Sequence, residues 1–127
     1  MKRAVTTNVR LAAERQIHAA IAHFRGGDFE CAITLCSAAE GRIPSPSDPG
    51  WLREVVIAHA APNDDFNFAA NWLKHDVNPD DLETEQAEVL FWLNRAISKY
   101  RARYGDGTVE MAALFPWAIK SVAGQSA

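Results

Sequence analysis

The sequence predicts an all-α fold, and three observations carry this prediction. Apolar residues recur at helical spacing along most of the chain. Residues that typically begin and end helices, Asn or Asp at one side and Gly at the other, separate these apolar stripes. A β-branched run, Val55-Val56-Ile57, has no second strand-like run to pair with, so it too is assigned to a helix. We expect an up-down helical bundle of four to five main helices plus a short C-terminal helix.

Length and composition predict one domain. The chain has 127 residues, of which 48% are hydrophobic and 23% charged, which is typical of a globular protein and argues against disorder. Its apolar runs are far shorter than the ~20 residues that a membrane-spanning helix needs. The basic start is not followed by an apolar signal core. We therefore expect a single helical domain over residues 1–127, with its core at about 9–119, that lies in the cytoplasm and contacts no membrane.

Charge and cysteine content narrow the classes of partner. A formal net charge of -3 disfavours unspecific binding of DNA or RNA over the whole surface, although a local basic site remains compatible with it. Cys31 and Cys36 are five residues apart in a predicted helix, which separates them by about 140° around the axis. We expect each to be a small buried apolar residue in a reducing compartment, and not a disulfide partner or metal ligand.

The first two predicted helices form an antiparallel hairpin. Asn8 is a typical N-cap for a helix over residues 9–25, and Gly26-Gly27 ends it because glycine tolerates the left-handed conformation of a helix C-terminus. Asp28 can cap the second helix at once, and Gly41 is expected to close it. A connection this short joins antiparallel helices. Helical spacing predicts that the buried residues are Ala13, Ile17, Ala20, Ile21 and Phe24, followed by Phe29, Ala32, Ile33, Cys36 and Ala39.

The middle of the chain is predicted to be a loop followed by two short helices. Three prolines within residues 44–49 cannot continue a helix. Helices are expected at about 51–61 and 66–74, with the break between them at Pro62-Asn63-Asp64-Asp65.

The longest helix is predicted near the C-terminus. Asp80 and Glu83 have the spacing of a capping box, which predicts a helix from about residue 81 to 104. Gly105-Asp106-Gly107 stops it, and Thr108 caps a last short helix. Its predicted face contains Leu82, Gln86, Val89, Leu90, Leu93, Ala96, Ile97, Tyr100 and Tyr104, widened by Phe91 and Trp92.

Neither a metal nor a cofactor is expected. His18 and His23 are five residues apart, whereas two ligands on one helical face prefer a spacing of three or four. Glu14 and His18 have the latter spacing, but a carboxylate-bridged bundle needs Glu-x-x-His on two helices, and the sequence contains no such pattern. We expect both histidines to be exposed polar residues. Phosphate-loop and nucleophile-elbow motifs are also missing from the sequence.

The hairpin has one resemblance of its own. The run from Ala22 to Ala32, with apolar residues, a Gly-Asp-Phe turn and then Ala on the second helix, resembles a junction between tetratricopeptide repeats. It covers a single junction, and stacked repeats need about three units to bury a core. This resemblance implies an interaction adaptor, while a tight helical turn accounts for the same residues.

The stretch Ala70-Asn71-Trp72-Leu73-Lys74-His75 concentrates the most chemistry. Together with the alanine-rich hairpin and the long final helix, Asn71-x-x-x-His75 resembles the HEPN superfamily (higher eukaryotes and prokaryotes nucleotide-binding) over about residues 9–104. The resemblance implies a small all-α bundle that is commonly dimeric. Many members are metal-independent RNases with an Arg-x(4–6)-His motif in which Asn often follows the Arg. In this chain Ala70 occupies the Arg position, so the cation of that motif is missing.

The missing cation bears directly on function. Metal-free RNA cleavage needs a base, for which His75 is the candidate, and a cation for the phosphorane. On one helix Lys74 projects about 100° from His75, so it is a poor replacement unless the helix ends between them. Arg53 with His59 matches the motif but does not converge on one helical face. Arg95 is a further candidate cation. Asn71 and His75 share one helical face, so a structural hydrogen bond, ligand contact and catalysis all remain open roles for them.

We therefore expect a binding or regulatory module for RNA, a nucleotide or a partner protein, without catalytic activity. Its candidate ligand-binding residues are Asn71, Lys74, His75, Arg53 and His59. The alternatives are a metal-independent RNase that uses His75 and a tetratricopeptide-like adaptor. A homodimer is also expected, because the chain has many large aromatic residues for one small bundle, and an exposed patch of those that it cannot bury marks an interface. The large aromatic residues are Trp51, Trp72, Phe91, Trp92, Phe115 and Trp117.

Overall fold

The computed structural model describes residues 3–46, 73–74 and 81–114. These residues form three long helices, α1 (Val9–Gly26), α2 (Phe29–Arg42) and α3 (Gln86–Tyr104). Residues 109–114 are helical as well. The described part of the chain contains no β-strand, so the all-α prediction is confirmed at this level.

Helix α1 begins and ends at the predicted residues. The Asn8 side-chain oxygen accepts a hydrogen bond of 2.8 Å from the backbone N–H of Leu11. At the other end Gly27 has a φ of 85°. The backbone N–H of Asp28 then donates to the carbonyl of His23 at 2.9 Å, which satisfies one of the last carbonyls of the helix.

Helix α2 differs from its prediction at both ends. Asp28 occupies the N-cap position, but its side chain makes no capping hydrogen bond. The prediction that Gly41 closes the helix was wrong, because the N–H of Ile43 still donates to the carbonyl of Ala39 at 3.2 Å. The helix therefore ends at Arg42, and Gly41 is an ordinary helical residue.

Helix α3 starts five residues later than predicted. Residues 81–85 are not helical, and Glu85 takes the N-cap position with an extended backbone. The predicted start at the capping box was therefore wrong. Leu82 packs partly buried against the core from this non-helical stretch. The C-terminal prediction is confirmed, since Gly105 ends the helix with a φ of 92°.

The core is built around α3, which is buried on most of its circumference. Every residue predicted for the buried face of α1 is buried, and so are Phe91 and Trp92 of α3. The prediction fails for Gln86, which is exposed, and in part for Phe29, Leu82 and Tyr104, which are half-buried at the edge of the core. Gln86 is the first residue of α3, and the buried face of this helix begins only at Val89. The other buried residues of α3 are Val89, Leu90, Leu93, Asn94, Ala96, Ile97, Lys99 and Tyr100.

The helix directions define two ends of the molecule. Arg10 near the start of α1 contacts Tyr100 near the end of α3, so these two helices are antiparallel. Phe29 and Gln86, the first residues of α2 and α3, line one cavity, so α2 and α3 run parallel. We call the side with the turn between α1 and α2 the hairpin end and the opposite side the Arg10 end.

Much of the predicted middle region lies outside the described residues. This applies to the predicted helix at 51–61 and to most of the helix at 66–74, of which only Leu73 and Lys74 are described. Both residues are helical, and Leu73 packs against the core. Among the described helices, none combines the length and the apolar character required to cross a bilayer.

Candidate functional site

Most of the predicted site lies outside the described residues. Asn71, His75, Arg53 and His59 all fall in this part of the chain, so their predicted roles stay predictions. Lys74 is described and exposed, one position beyond the half-buried Leu73. Its ammonium is therefore accessible to a partner.

Arg95, the further candidate cation, is held by a carboxylate from α2. Its Nε lies 3.3 Å from Glu40 Oε1, as an ion pair without hydrogen-bond geometry. Its guanidinium carbon lies 5.0 Å from the centre of the Trp92 ring, within the range of a cation–π contact. Lys99 joins the same carboxylate at 3.5 Å and donates a 2.8 Å hydrogen bond to the backbone carbonyl of Glu40. We call Glu40, Arg95 and Lys99 the Glu40 cluster.

The Glu40 cluster is largely shielded from water. The side chains of Glu40, Arg95 and Lys99 are 12%, 17% and 10% exposed. Ionised groups at this depth require partners of opposite charge, because the free energy lost when water is removed from an unpaired charge is not compensated. Arg95 therefore joins α2 to α3 and has little surface left for a phosphate.

A second group of cations lies at the Arg10 end and is open to solvent. The Arg10 guanidinium carbon is 5.3 Å from the centre of the Tyr104 ring, and that of Arg103 is 5.6 Å from the same ring. Arg10 Nε donates to the Tyr100 hydroxyl at 3.2 Å, and that hydroxyl donates to Glu14 Oε1 at 3.3 Å. We call Arg10, Arg103 and Tyr104 the Arg–Tyr surface.

The Arg–Tyr surface rests on a buried support. Tyr100 is only 1% exposed, so its ring belongs to the core while its hydroxyl orients Arg10. This hydrogen bond, with a smaller contribution from nearby Glu14, raises the pKa of Arg10 above its ordinary value. Arg10 and Arg103 are both exposed, so their charges face water. The arrangement holds two permanent cations side by side around one aromatic ring.

Sequence reasoning did not find the Arg–Tyr surface. Arg10 and Tyr100 are 90 residues apart in the chain, and no spacing rule connects them. The sequence did contain a partial signal, because Lys99, Arg101 and Arg103 cluster in the last turns of the longest helix. That cluster is also what a helix dipole favours at a C-terminus, so the signal alone does not indicate a binding site.

The two histidines of α1 have polar partners. His18 Nε2 lies 2.7 Å from Thr108 Oγ1 and 3.6 Å from Glu110 Oε2. His23 Nδ1 lies 3.3 Å from Asp28 Oδ2, beside the turn between α1 and α2. The prediction of exposed histidines was therefore wrong in degree, since both are half-buried and each joins two segments. The described residues contain no group of three or more side chains that could hold a metal ion.

The two cysteines have different environments. Cys36 is fully buried, which confirms the prediction for this residue, and burial raises the pKa of its thiol well above the ordinary range. Cys31 is half-buried, so the prediction that it is buried was wrong. Both are free thiols.

Of the aromatic residues considered for a dimer interface, Phe91 and Trp92 lie in the described part of the chain. Phe91 and Trp92 are 1% and 5% exposed and pack edge to face against each other, with ring centres 5.8 Å apart. They belong to the core of the single chain, so neither contributes to an exposed aromatic patch. Trp51, Trp72, Phe115 and Trp117 lie outside the described residues.

No protein family, no curated protein sequence and no solved structure matches this chain.

Proposed function

We propose that this chain is a HEPN-like module that binds single-stranded RNA and does not cleave it. In this proposal the described helices belong to an up-down bundle of four to five main helices plus a short C-terminal helix. The Arg–Tyr surface is the observation that carries the RNA-binding part. The resemblance of the sequence to the HEPN superfamily carries the choice of family.

The chemistry of the Arg–Tyr surface suits a nucleic acid strand. Guanidinium groups contact phosphates through paired N–H donors, and their planes stack on bases that are not paired. Arg10 uses Nε for Tyr100, and its terminal nitrogens have no partner among the described residues. Two oriented cations at one end reconcile a local RNA contact with the net charge of -3, because they outnumber the one carboxylate beside Arg10, that of Glu14, which accepts a hydrogen bond from Tyr100.

The proposed absence of cleavage is supported by the positions of the candidate cations relative to His75. A metal-free RNase stabilises the phosphorane with a cation close to its base. Ala70 replaces the Arg of the family motif, and Arg95 is tied to Glu40. Lys74 is exposed, and because adjacent positions of a helix project about 100° apart, it reaches His75 only where the helix ends between them. A binding module that has lost catalysis is consistent with all three facts.

Fluorescence anisotropy with a labelled single-stranded RNA of mixed sequence tests the binding proposal. The variant carries Arg10→Gln and Arg103→Gln, and the matched control carries Arg15→Gln and Arg25→Gln, which remove equal charge from exposed positions elsewhere on α1. We expect the first pair to weaken binding about tenfold or more, and to reduce the salt slope by roughly 1.4 for two phosphate contacts. Equal losses in both variants, or no binding by the wild type, would reject the proposal.

The same RNA incubated with the protein in EDTA tests for catalysis. We expect the strand to stay intact with the wild type and with His75→Ala. Cleavage by the wild type that His75→Ala lacks would replace the proposal with the metal-independent RNase.

The homodimer remains part of the proposal through the family resemblance, and sedimentation at micromolar concentration tests it. A monomer would remove the dimer from the proposal. The tetratricopeptide-like adaptor makes a different prediction, because it requires an open superhelical stack of helices and a protein partner in place of RNA. A crystal structure with a closed bundle would exclude that adaptor.

A further inference from the structure

An apolar cavity of about 520 Å³ lies at the hairpin end, opposite the Arg–Tyr surface. Its volume is in the range of small-molecule binding sites, which is roughly 300–1,000 Å³. The Phe24 and Phe29 rings stack in its wall with centres 5.7 Å apart, and Leu114 and Ala113 supply further apolar surface. Such walls accommodate a hydrocarbon chain or a ring.

Two polar side chains also line this cavity, and one of them is charged. They are Arg25, near the end of α1, and Gln86, the first residue of α3. Arg25 is exposed and has no ion-pair partner among the described residues. A cation without a counter-ion beside an apolar cavity provides a site for an anionic group.

The helix ends at the cavity favour the same sign of charge. Phe29 and Gln86 are the first residues of α2 and α3, so two parallel helices begin at its wall. Neither N-terminus has a side-chain capping hydrogen bond, whereas α1 is capped by Asn8. Uncapped first turns present backbone N–H donors and the positive end of the helix dipole.

From these features we propose that the cavity binds a small apolar carboxylate, such as a medium-chain fatty acid. The hydrocarbon part lies against Phe29 and Ala113, above the nearly buried Phe24 and Leu114. The carboxylate lies at Arg25, near the first turns of α2 and α3. This site is independent of the RNA proposal and involves none of its residues.

Acidic residues at the same end are the opposing consideration. Asp28 is engaged with His23 at 3.3 Å. Glu30 and Glu88 stand in the first turns of α2 and α3, and Glu85 occupies an N-cap position. None of these carboxylates lines the cavity among the described residues, whereas Arg25 does. A comparison of ligands that differ only in charge can therefore decide which sign the cavity prefers.

Isothermal titration calorimetry with decanoate, decanol and decylammonium tests the proposal on the full chain. These ligands share one hydrocarbon chain and differ in charge. We expect decanoate to bind at least tenfold more tightly than decanol, and decylammonium to bind most weakly. Decanol or decylammonium binding as tightly as decanoate would overturn the assignment of charge, and no binding of decanoate at millimolar concentration would overturn the site.

Two variants locate the site. Arg25→Gln should weaken decanoate about tenfold, the loss of one charge-assisted contact, and leave decanol unchanged, while the matched Arg15→Gln should change neither. Ala113→Trp, which places a large ring at the cavity wall, should abolish binding of both ligands while circular dichroism shows unchanged helix content. Unchanged decanoate affinity in Arg25→Gln would overturn the role of this cation, and RNA affinity should be the same as wild type in Arg25→Gln.

Discussion

The Glu40 cluster and the Arg–Tyr surface use the same chemistry for different purposes. Each places an arginine about 5 Å from the centre of an aromatic ring, Arg95 over Trp92 and Arg10 over Tyr104. In the Glu40 cluster a carboxylate directly contacts two cations, and all three side chains are largely buried. On the Arg–Tyr surface the carboxylate contacts the supporting Tyr100 hydroxyl, and the guanidiniums face water.

The difference shows that burial decides what an arginine beside an aromatic ring can do. A buried cation is committed to its counter-ion, because its separation would leave an unpaired charge away from water. An exposed cation can exchange its bound water for a ligand at a small cost in free energy. Its ion pairs contribute little to the stability of the fold. The two sites should therefore respond in opposite ways to substitution, one in stability and the other in binding.

Removal of the Glu40 charge should have the largest effect on stability. Glu40→Gln removes the carboxylate that Arg95 and Lys99 share, at a site where the side chains are at most 17% exposed. We expect a loss of about 3 kcal/mol in the free energy of unfolding, measured by urea denaturation. Glu83→Gln, at an exposed position, is the control and should change stability by less than about 0.5 kcal/mol. A loss for Glu40→Gln as small as that of the control would place the cluster with ordinary surface ion pairs.

The stability of the protein should fall at alkaline pH because of a buried thiol close to Glu40. Cys36 lies one helical turn before Glu40, and burial, more than the nearby carboxylate, raises the pKa of its thiol. Above an unfolded-state pKa of about 8.5, the unfolded chain releases this proton while the folded chain keeps it, so stability falls as pH rises. The expected loss is roughly 2 kcal/mol between pH 8 and pH 10.

Thermal or urea unfolding of wild type and Cys36→Ala across this range isolates the effect of the thiol. The variant should lack this part of the pH dependence, and identical slopes for both proteins would show that Cys36 does not resist ionisation.

In the folded protein a thiol reagent should react with Cys31 well before Cys36, because Cys31 is half-buried and Cys36 fully buried.

Removal of the Tyr100 hydroxyl should have an intermediate effect. Tyr100→Phe keeps the ring in the core but removes an acceptor for Arg10 and a donor to Glu14. We expect a loss of about 1 kcal/mol in stability by urea denaturation, together with weaker RNA binding because Arg10 is no longer oriented. Tyr104→Phe is the matched control for the change in stability alone, since the Tyr104 hydroxyl has no partner among the described residues. Equal effects of the two substitutions would contradict the supporting role of the Tyr100 hydroxyl.

The smallest effect on stability is expected at the Arg–Tyr surface itself. Arg10→Gln with Arg103→Gln should change the free energy of unfolding by no more than about 0.5 kcal/mol, although RNA affinity falls. Glu40→Gln should show the reverse, with reduced stability and unchanged RNA affinity under conditions where the protein stays folded. Measurement of both quantities on both variants tests the comparison directly. A variant that changes both quantities strongly would show that the two sites are coupled.

Local patterns predicted much of the fold because they depend on neighbouring residues. The five-residue apolar stripe of α1 and its cap at Asn8 are both found as predicted. Both errors in the helix bounds come from a local sequence signal that the fold does not follow. Leu82 packs against the core from non-helical backbone, although the residues around it have the spacing of a capping box. Gly41 lies inside α2, and its backbone is not in the left-handed conformation.

The candidate site was less predictable for a different reason. The contacts of Arg95 with Glu40 and of Arg10 with Tyr100 join residues 55 and 90 positions apart. Helical spacing can place an arginine on a face, but it cannot say which helix packs there or whether water reaches it. For this reason sequence alone offered Arg95 as a cation for catalysis, whereas the fold engages it in the core.

The parallel arrangement of α2 and α3 limits how far the chain can be shortened. Helix α2 has 14 residues and is therefore about 21 Å long. Since both helices start at the hairpin end, the chain that leaves Arg42 must travel back over this distance before Gln86. A fully extended linker needs at least about seven residues to do so. A deletion that joins the two helices by a tight turn would force α3 to reverse, and its Arg95 and Lys99 could no longer meet Glu40.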